Sequence, residues 1–357
     1  MRIGVDGSKI PEAVKRGPIG SLEHGQELGL SGLFFRTVLD LSPTLDAGEL
    51  RAIRQRADEL GMYMEAGLGK VNPYANPEVP ELRAIGDGDI VLGFRRMMEA
   101  CAAIDCRELW VALASYKWMF RGRLAYDRFR TDVDWSDQLA ASTKFLKRLA
   151  PIARDLGIHL NLETHEEVTS FELVRMVEEV GPDVTGIVFD TSNVLQRIEH
   201  PVWAARRVAP YVRQTHLKDG LLSFGDGGLD YQHRPCGDGV IDFGEILPIL
   251  ADVNPTLNLT IENPQAREDA LRPASVIFIE LFDPEFLAGH PDLTVGEYAA
   301  FIQLAHDYAE RLAAGEIPDR LTYGARPYDF EAAIALIKKG AAHLRSVCIE
   351  KGLPLSD

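Results

Sequence analysis

Short apolar segments alternate with longer amphipathic segments over the first 262 residues of the chain. The short segments predict eight strands, at 2–6, 32–38, 62–67, 108–114, 157–163, 184–190, 211–217 and 256–262. The segments between them predict helices near 18–29, 46–60, 88–104, 134–155, 168–181, 200–209 and 243–252. In one of these, Phe171, Val174 and Val177 recur at helical spacing, and Gly181 followed by Pro182 ends the pattern.

This alternation predicts an α/β fold with a parallel sheet. Eight strand–helix repeats favour a closed (β/α)8 TIM barrel. An open doubly wound sheet is the alternative, but that fold usually carries a glycine-rich phosphate turn after its first strand. Here the first strand runs into DGSKIPEAVKRG, which contains no GxGxxG.

Two long connections and a helical tail depart from the regular repeat. Residues 115–133 and 218–242 both follow strands, which places them on the C-terminal face of a barrel, where active sites are built. After residue 263 the pattern becomes mostly helical, with helices at 295–314 and 329–350. We therefore predict a barrel over 1–266 and a C-terminal helical extension over 267–357. Its first part would supply the eighth helix region, and the rest a lid, a packing collar or a subunit contact.

Four consecutive strands end in residues that bind metals. Strands five to eight end in Glu163, Asp190, His216 and Glu262, and strand ends converge at one mouth of a barrel. Each residue alone is typical of a helix cap, a salt bridge or a hydrogen-bonded histidine. Together, three carboxylates and an imidazole cannot all stay charged and unpaired in a buried site, and a divalent cation resolves the conflict. Three oxygens and one nitrogen suit Mn²⁺, Mg²⁺, Co²⁺ or Zn²⁺.

Polar residues also lie two positions before three of these strand ends. Asn161, Gln214 and Thr260 point to the same side of their strands as the residue at the end. A barrel interior normally holds branched apolar residues there. We therefore predict that these polar side chains orient the metal ligands; a hydrated barrel interior is the alternative.

Composition excludes several classes of protein. The chain has 357 residues, 46% of them hydrophobic, which is ample for a sizeable core. Its formal net charge of −16 disfavours nucleic acid and anionic membranes as partners. No segment approaches the roughly 18 apolar residues of a membrane span, and the first residues lack the apolar run of a signal peptide. Four cysteines without a CxxC pair indicate free thiols in a reducing cytoplasm.

The segments NLETHEE, GIVFDTSN, THLKDG with GDGVIDF, and LTIENP resemble the xylose isomerase-like TIM-barrel superfamily of sugar and sugar-phosphate isomerases and epimerases. The resemblance implies that Glu163, Asp190, His216 and Glu262 bind a catalytic divalent metal, often manganese. Its ketose 3-epimerases further imply that Glu163 and Glu262 act as an acid–base pair on either face of the substrate. The specific motifs lie within 160–263, and the last 90 or so residues fall outside the resemblance.

Three positions distinguish this sequence from those epimerases. Asn193 stands where they have a histidine, and Leu222 stands where they have an arginine, and both family residues help to hold the sugar. His165 lies two residues beyond Glu163, so on an extended strand it faces the same side. This ExH pattern resembles the large subunit of the bacterial C-glycoside deglycosidases, which implies a histidine base, a 3-oxo sugar substrate and a small partner subunit. A solvent-exposed histidine is the alternative.

The chemistry common to these relatives is proton abstraction next to a carbonyl. A cation that binds the carbonyl oxygen stabilises the developing negative charge, and a base removes the proton. The sequence therefore predicts a metal-dependent sugar isomerase or epimerase; the alternatives are a lyase on 3-oxo-glycosides and a non-catalytic metal-binding barrel. Weaker candidates to hold the substrate are Lys218, Asn193, Trp118, Arg36 and Glu65. We expect a homo-oligomer, with a small partner subunit as a further possibility.

Overall fold

Parallel strands and the helices that connect them make up most of the fold. The structure, a computed structural model, describes residues 1–75, 79–129, 133–262 and 276–356. The strands are β1 (Arg2–Asp6), β2 (Gly32–Phe35), β3 (Tyr63–Lys70), β4 (Glu108–Ala112), β5 (His159–Glu163), β6 (Thr185–Asp190), β7 (Val212–His216), β8 (Asp219–Gly225), β9 (Gly228–Arg234), β10 (Asn258–Ile261) and β11 (Val276–Ile279).

The helices fall close to the predicted segments. They are α1 (Ala13–Glu27), α2 (Ala47–Glu59), α3 (Pro80–Ile85), α4 (Ile90–Ala103), α5 (Trp135–Leu156), α6 (Ser170–Val180), α7 (Pro201–Val208), α8 (Phe243–Val253), α9 (Pro284–Ala288), α10 (Val295–Ala313), α11 (Arg320–Gly324) and α12 (Phe330–Glu350). Helix α6 shows how the sequence sets the bounds. Thr169 accepts a hydrogen bond from the backbone N–H of Glu172, whose side chain accepts in turn from the N–H of Thr169, while Leu173 and Val177 face the core.

Eight strands form the predicted (β/α)8 TIM barrel. The parallel order is β10-β1-β2-β3-β4-β5-β6-β7, with Arg2 opposite Asn258 where the first and last barrel strands meet. A parallel bridge between Leu217 and Ile261 joins the two remaining edges, and the N–H of Leu217 donates to the carbonyl of Thr260 at 2.7 Å. Side chains of the strands and helices share one extensive buried core.

The long connection after β7 contains structure that the sequence analysis missed. Residues 218–242 were predicted as a loop, but β8 and β9 form an antiparallel hairpin within them. Strand β11, in the tail that was predicted as mostly helical, pairs with β9, which gives a separate three-stranded sheet. Helix α10 packs on β8, so this helix covers the second sheet.

The last helix, and not the first part of the tail, fills the position of the eighth barrel helix. Helix α12 packs against α8, β1 and β10, and its Leu344 is fully buried. The predicted boundary between 266 and 267 lies outside the described residues. Among the helices that the structure describes, none combines the length and the apolar character needed to cross a membrane.

We expect Leu344→Ala to lower the free energy of unfolding by about 2–5 kcal/mol, because the substitution leaves a cavity in the barrel core. Ile349→Ala in the same helix is the matched control. Its side chain is 71% exposed, so its loss should change stability by no more than about 0.5 kcal/mol. Urea unfolding measures both. Equal effects of the two substitutions would contradict an integral role for α12.

Candidate metal centre

The structure brings together the four side chains that the strand ends place at the barrel mouth. Glu163, Asp190 and His216 are the last residues of β5, β6 and β7, and Glu262 directly follows β10. All four are buried, and each offers one ligand atom within 4.8 Å of those of the other three. Two of them are direct partners on neighbouring parallel strands, since Asp190 on β6 pairs with His216 on β7.

Protein donors hold one oxygen of each of two carboxylates. The indole N–H of Trp110 donates to Oε2 of Glu163 at 2.8 Å. The backbone N–H groups of Ser192 and Asn193 both donate to Oδ1 of Asp190 at 2.9 Å. The second oxygens lie within the cluster: Oε1 of Glu163 is 2.9 Å from Nδ1 of His216, and Oδ2 of Asp190 is 2.8 Å from the ammonium of Lys218.

The third carboxylate, that of Glu262, is contacted at both oxygens by charged groups. Arg36 donates to Oε1 of Glu262 at 2.9 Å. The ammonium of Lys218 lies 3.1 Å from Oε2 of Glu262 and 2.8 Å from Oδ2 of Asp190. Both cations were predicted to hold substrate; the structure places them against the acidic cluster itself. They reduce the repulsion between carboxylates that are buried side by side.

His216 completes the cluster. Its Nδ1 lies 2.9 Å from Oε1 of Glu163 and 3.3 Å from Oε2 of Glu262, and its ring packs against Phe34 at 4.6 Å between centroids. Burial by itself would lower the pKa of His216, but the carboxylates outweigh burial and raise this pKa.

The carboxylates differ in how readily they lose a proton. Burial raises the pKa of Asp190 to about 7, although Lys218 opposes this rise. For Glu163, burial acts in the same direction, but His165 and His216 outweigh it and lower the pKa to about 2. The two pKa values differ because burial dominates at Asp190 and the neighbouring histidines dominate at Glu163.

The arrangement fits a divalent cation. Three carboxylate oxygens and one imidazole nitrogen form a donor set of the kind that binds such ions, and the other oxygen of each carboxylate is already fixed by the protein. The buried cluster could therefore hold a metal. The polar residues predicted to orient it do not contact the ligands: Asn161 bonds to Gln214 at 2.9 Å, and Thr260 bonds to Glu65 at 3.0 Å, one layer deeper in the barrel.

The two ring nitrogens of His165 have different neighbours: one faces the cluster, and the other faces two acidic side chains. Its Nε2 lies 3.8 Å from Oε2 of Glu163. Its Nδ1 lies 2.7 Å from carboxylate oxygens of both Glu166 and Glu167. Burial would lower the pKa of His165, but these carboxylates outweigh it and raise the pKa above its ordinary value. The spacing of the sequence indicated only Glu163 as a neighbour of His165, and the structure adds these two carboxylates.

Two of the other predicted substrate residues lie in different settings. Asn193 is buried, and its Nδ2 has no hydrogen-bond partner among the described residues. Trp118 is 52% exposed in the loop after β4, where it packs edge-on against Tyr116 at 4.7 Å between centroids.

Glu65 does not reach the mouth of the barrel. Its two oxygens accept hydrogen bonds from Asn258 at 2.9 Å and from Thr260 at 3.0 Å, and Tyr63 also bonds to Thr260. Thr260 lies two residues before Glu262, so Glu65 belongs to the polar barrel interior beneath the cluster. The sequence position near the end of the predicted strand was misleading, because β3 continues to Lys70.

The hairpin β8–β9 adds a wall to the site that the sequence analysis missed. The hydroxyl of Tyr231 on β9 is in hydrogen-bond contact with that of Ser192, which lies next to the ligand-bearing end of β6. The sequence signal was present: the apolar–polar alternation of 219–234 is interrupted at Asp226 and Gly227, a pair typical of hairpin turns.

Comparison with known proteins gives distant relatives in sequence. The 3-oxo-isoapionate decarboxylase of Pectobacterium atrosepticum is 23% identical over 262 residues, which cover 72% of this chain and 80% of that protein. An inosose dehydratase of Bacillus anthracis is 27% identical over 138 residues, which cover 35% of this chain and 45% of that protein. This second match therefore spans less than half of the dehydratase.

The fold is shared with solved sugar epimerases. The structure of D-psicose 3-epimerase with D-tagatose from Clostridium cellulolyticum H10 superposes with a TM-score of 0.61 at 14% identity, over 97% of this chain and 99% of that one. The family described as xylose isomerase-like TIM barrel matches residues 22–279, which is most of the chain and includes all four residues of the cluster. The chain belongs to the xylose isomerase-like TIM barrel family.

Proposed function

We propose that this protein is a divalent-metal-dependent enzyme that removes a proton from carbon next to a ketone in a sugar or sugar derivative, and acts as an isomerase or epimerase. The observation that carries the proposal is the buried cluster of Glu163, Asp190, His216 and Glu262. We propose these four as the ligands and Mn²⁺ as the ion; Mg²⁺, Co²⁺ and Zn²⁺ suit the same donors.

The names of the relatives support a ketone substrate. They comprise a decarboxylase of a 3-oxo compound, a dehydratase of inosose and a 3-epimerase of a ketose. The first step of each of these reactions is easier when negative charge can develop on an oxygen next to the reacting carbon. When bound, the cation would stabilise that charge as a Lewis acid.

The chain supplies the groups that move the proton. Glu163 and Glu262 come from strands on different sides of His216, so we assign them as the acid–base pair. His165 is the third candidate, since its Nε2 faces Glu163 while Glu166 and Glu167 fix the other side of its ring. Return of the proton to the opposite face gives an epimer, and return to the neighbouring carbon gives an isomer.

A lyase is the second candidate function. His165 is buried within the site, which favours the deglycosidase-like alternative over a solvent-exposed histidine. Loss of a substituent β to the ketone would then follow removal of the proton, and a 3-oxo-glycoside is the substrate class. A non-catalytic barrel is the remaining alternative, and it predicts no turnover with any metal.

The proposal extends to substrate contacts and surroundings. Asn193 has a buried amide donor without a partner among the described residues, and we assign it to a substrate oxygen.

Trp118 and Met119 are 52% and 80% exposed, which supports a contact with another copy of the chain or with a small partner subunit. All four cysteines are buried free thiols, as a reducing cytoplasm would maintain them.

We expect Mn²⁺ to stabilise the wild-type protein and not the Asp190→Asn variant, because the substitution removes a charged ligand. Stabilisation should reach about 2.7 kcal/mol when free Mn²⁺ exceeds Kd by about 100-fold. Asp307→Asn is the matched control, since Asp307 belongs to an exposed group with His306 and Glu310. Thermal unfolding with and without Mn²⁺ measures the effect. A full Mn²⁺ response in Asp190→Asn would refute the assigned ligand set.

Deuterium incorporation tests the proposed reaction. The Mn²⁺-loaded protein is incubated in deuterated water with ketoses, inososes and 3-oxo-glycosides, and products are followed by NMR and mass spectrometry. Deuterium next to the ketone is expected even where substrate and product interconvert without net change. A product that retains the polyol framework of the substrate indicates an isomerase or epimerase, and a product that has lost a substituent indicates a lyase. Absence of exchange across all three classes would overturn the proposed function.

We expect His165→Ala to lower kcat by about 10²–10⁴-fold while Mn²⁺ content stays unchanged, because the ring would serve proton transfer and not ligation. Bound metal and turnover are measured together. His159→Ala, at the other end of the same strand, should keep near wild-type kcat. If metal is lost in His165→Ala, the residue supports binding of the ion; if kcat is unaffected, proton transfer belongs to Glu163 and Glu262.

A further inference from the structure

The two faces of strand β9 have different surroundings. Residues two apart on a strand share a face, so Tyr231 and His233 lie on one side and Gln232 and Arg234 on the other. Gln232 and Arg234 donate to the backbone carbonyls of the C-terminal segment, at residues 320 and 318, over 3.2 Å each. The face that carries Tyr231 and His233 is therefore turned away from this C-terminal segment.

The contact made by Tyr231 shows which part of the protein lies next to the face that carries Tyr231 and His233. The hydroxyl of Tyr231 contacts the hydroxyl of Ser192, whose backbone N–H donates to Oδ1 of Asp190 at 2.9 Å. Across the hairpin, His233 is paired with Gly220, which follows the ligand-bearing strand β7 by four residues. The rings of Tyr231 and His233 pack edge to face, with centroids 4.9 Å apart. The register thus brings His233 to the mouth of the barrel beside the cluster.

Charged residues near the cluster act on the ring of His233. Burial and the charge of Lys218 lower the pKa of His233 to about 3, Lys9 adds to the effect, and Glu166 and Glu262 oppose it. These charges belong to the loops and strands that surround the cluster. The ring makes no hydrogen bond with any residue in the described part of the chain. A half-buried imidazole with both nitrogens unused has hydrogen-bonding capacity for a ligand.

We propose that His233 is a substrate-binding residue whose ring hydrogen bonds to a hydroxyl group of the sugar. The inference rests on the proposed function, and it adds a contact from the hairpin wall that neither Asn193 nor Lys218 provides. An uncharged imidazole both donates and accepts one hydrogen bond, which matches a hydroxyl group. At this position the substrate therefore carries a hydroxyl group and not a phosphate.

Two substitutions separate binding from packing. His233→Phe keeps a ring against Tyr231 but removes both nitrogens, whereas His233→Gln keeps a donor and an acceptor. With a substrate found by deuterium exchange, His233→Phe should raise KM by about 10-fold, the loss expected for one hydrogen bond, and His233→Gln should recover part of it. Mn²⁺ affinity should stay within about twofold in both variants, since the ring does not touch the ligands.

The control is His306→Phe, an exposed histidine on α10, which should leave KM and kcat unchanged. KM and kcat within twofold of wild type in His233→Phe would overturn the inference. So would a KM defect in His233→Phe that His233→Gln does not reduce, because that result assigns the effect to ring geometry and not to hydrogen bonding.

A binding measurement distinguishes failure of this inference from failure of the proposed function. Imidazole ¹⁵N shifts are recorded in Mg²⁺-loaded protein during titration with D-glucitol, a polyol that has no ketone and cannot react. The signals of His233 are identified by their loss in His233→Phe. A shift of these signals supports the contact even if no ketone shows exchange. Unchanged signals overturn it even if the enzyme is active.

Discussion

Repulsion between three buried carboxylates is the constraint on which the mouth of this barrel depends. Glu163, Asp190 and Glu262 are brought within a few ångströms of one another by the convergence of strand ends, a geometry that the fold imposes. Like charges in a buried site are costly unless they are paired, hydrogen bonded or protonated. Arg36 and Lys218 supply countercharge, and uncharged N–H donors hold the outer oxygens of Glu163 and Asp190.

Residues 216–219, at the end of β7 and the start of β8, have several structural roles. His216 joins the cluster, Lys218 pairs with two of its acids, and Asp219 binds backbone N–H groups of the hairpin and the chain after it. The carboxylate of Asp219 accepts hydrogen bonds from the backbone N–H groups of Gly220, Gly237, Gly239 and Ile241, at 2.8–3.0 Å. Asp219 therefore connects the start of the hairpin to the chain that follows it. Its neighbour Lys218 pairs with the cluster, so adjacent residues hold the hairpin and the cluster.

The fold and the cluster could be predicted because they depend on local pattern. Strand ends such as Asp190 and His216 fall where the apolar segments end, and parallel topology makes them converge. The partners of the polar residues could not be predicted in this way. Asn161 bonds to Gln214 and to Glu108, and Glu65 bonds to Asn258, across strands whose relative stagger is not visible in the spacing of residues.

Two features were missed for a different reason. The hairpin is encoded by a turn signal at Asp226 and Gly227, which the length of the connection obscured. The placement of α12 is not encoded locally, because α10 and α12 are both long helices and only tertiary packing decides which one covers β1.

The pairing of Arg2 with Asn258 has a consequence for how the protein is made. During synthesis the first strand emerges from the ribosome long before its neighbour β10, and still longer before α12 covers it. Until then, β1 exposes an apolar face and an unpaired edge. Contacts so distant in sequence form slowly and leave such edges open to wrong partners. The final placement of β1 therefore waits for residues at the far end of the barrel sequence.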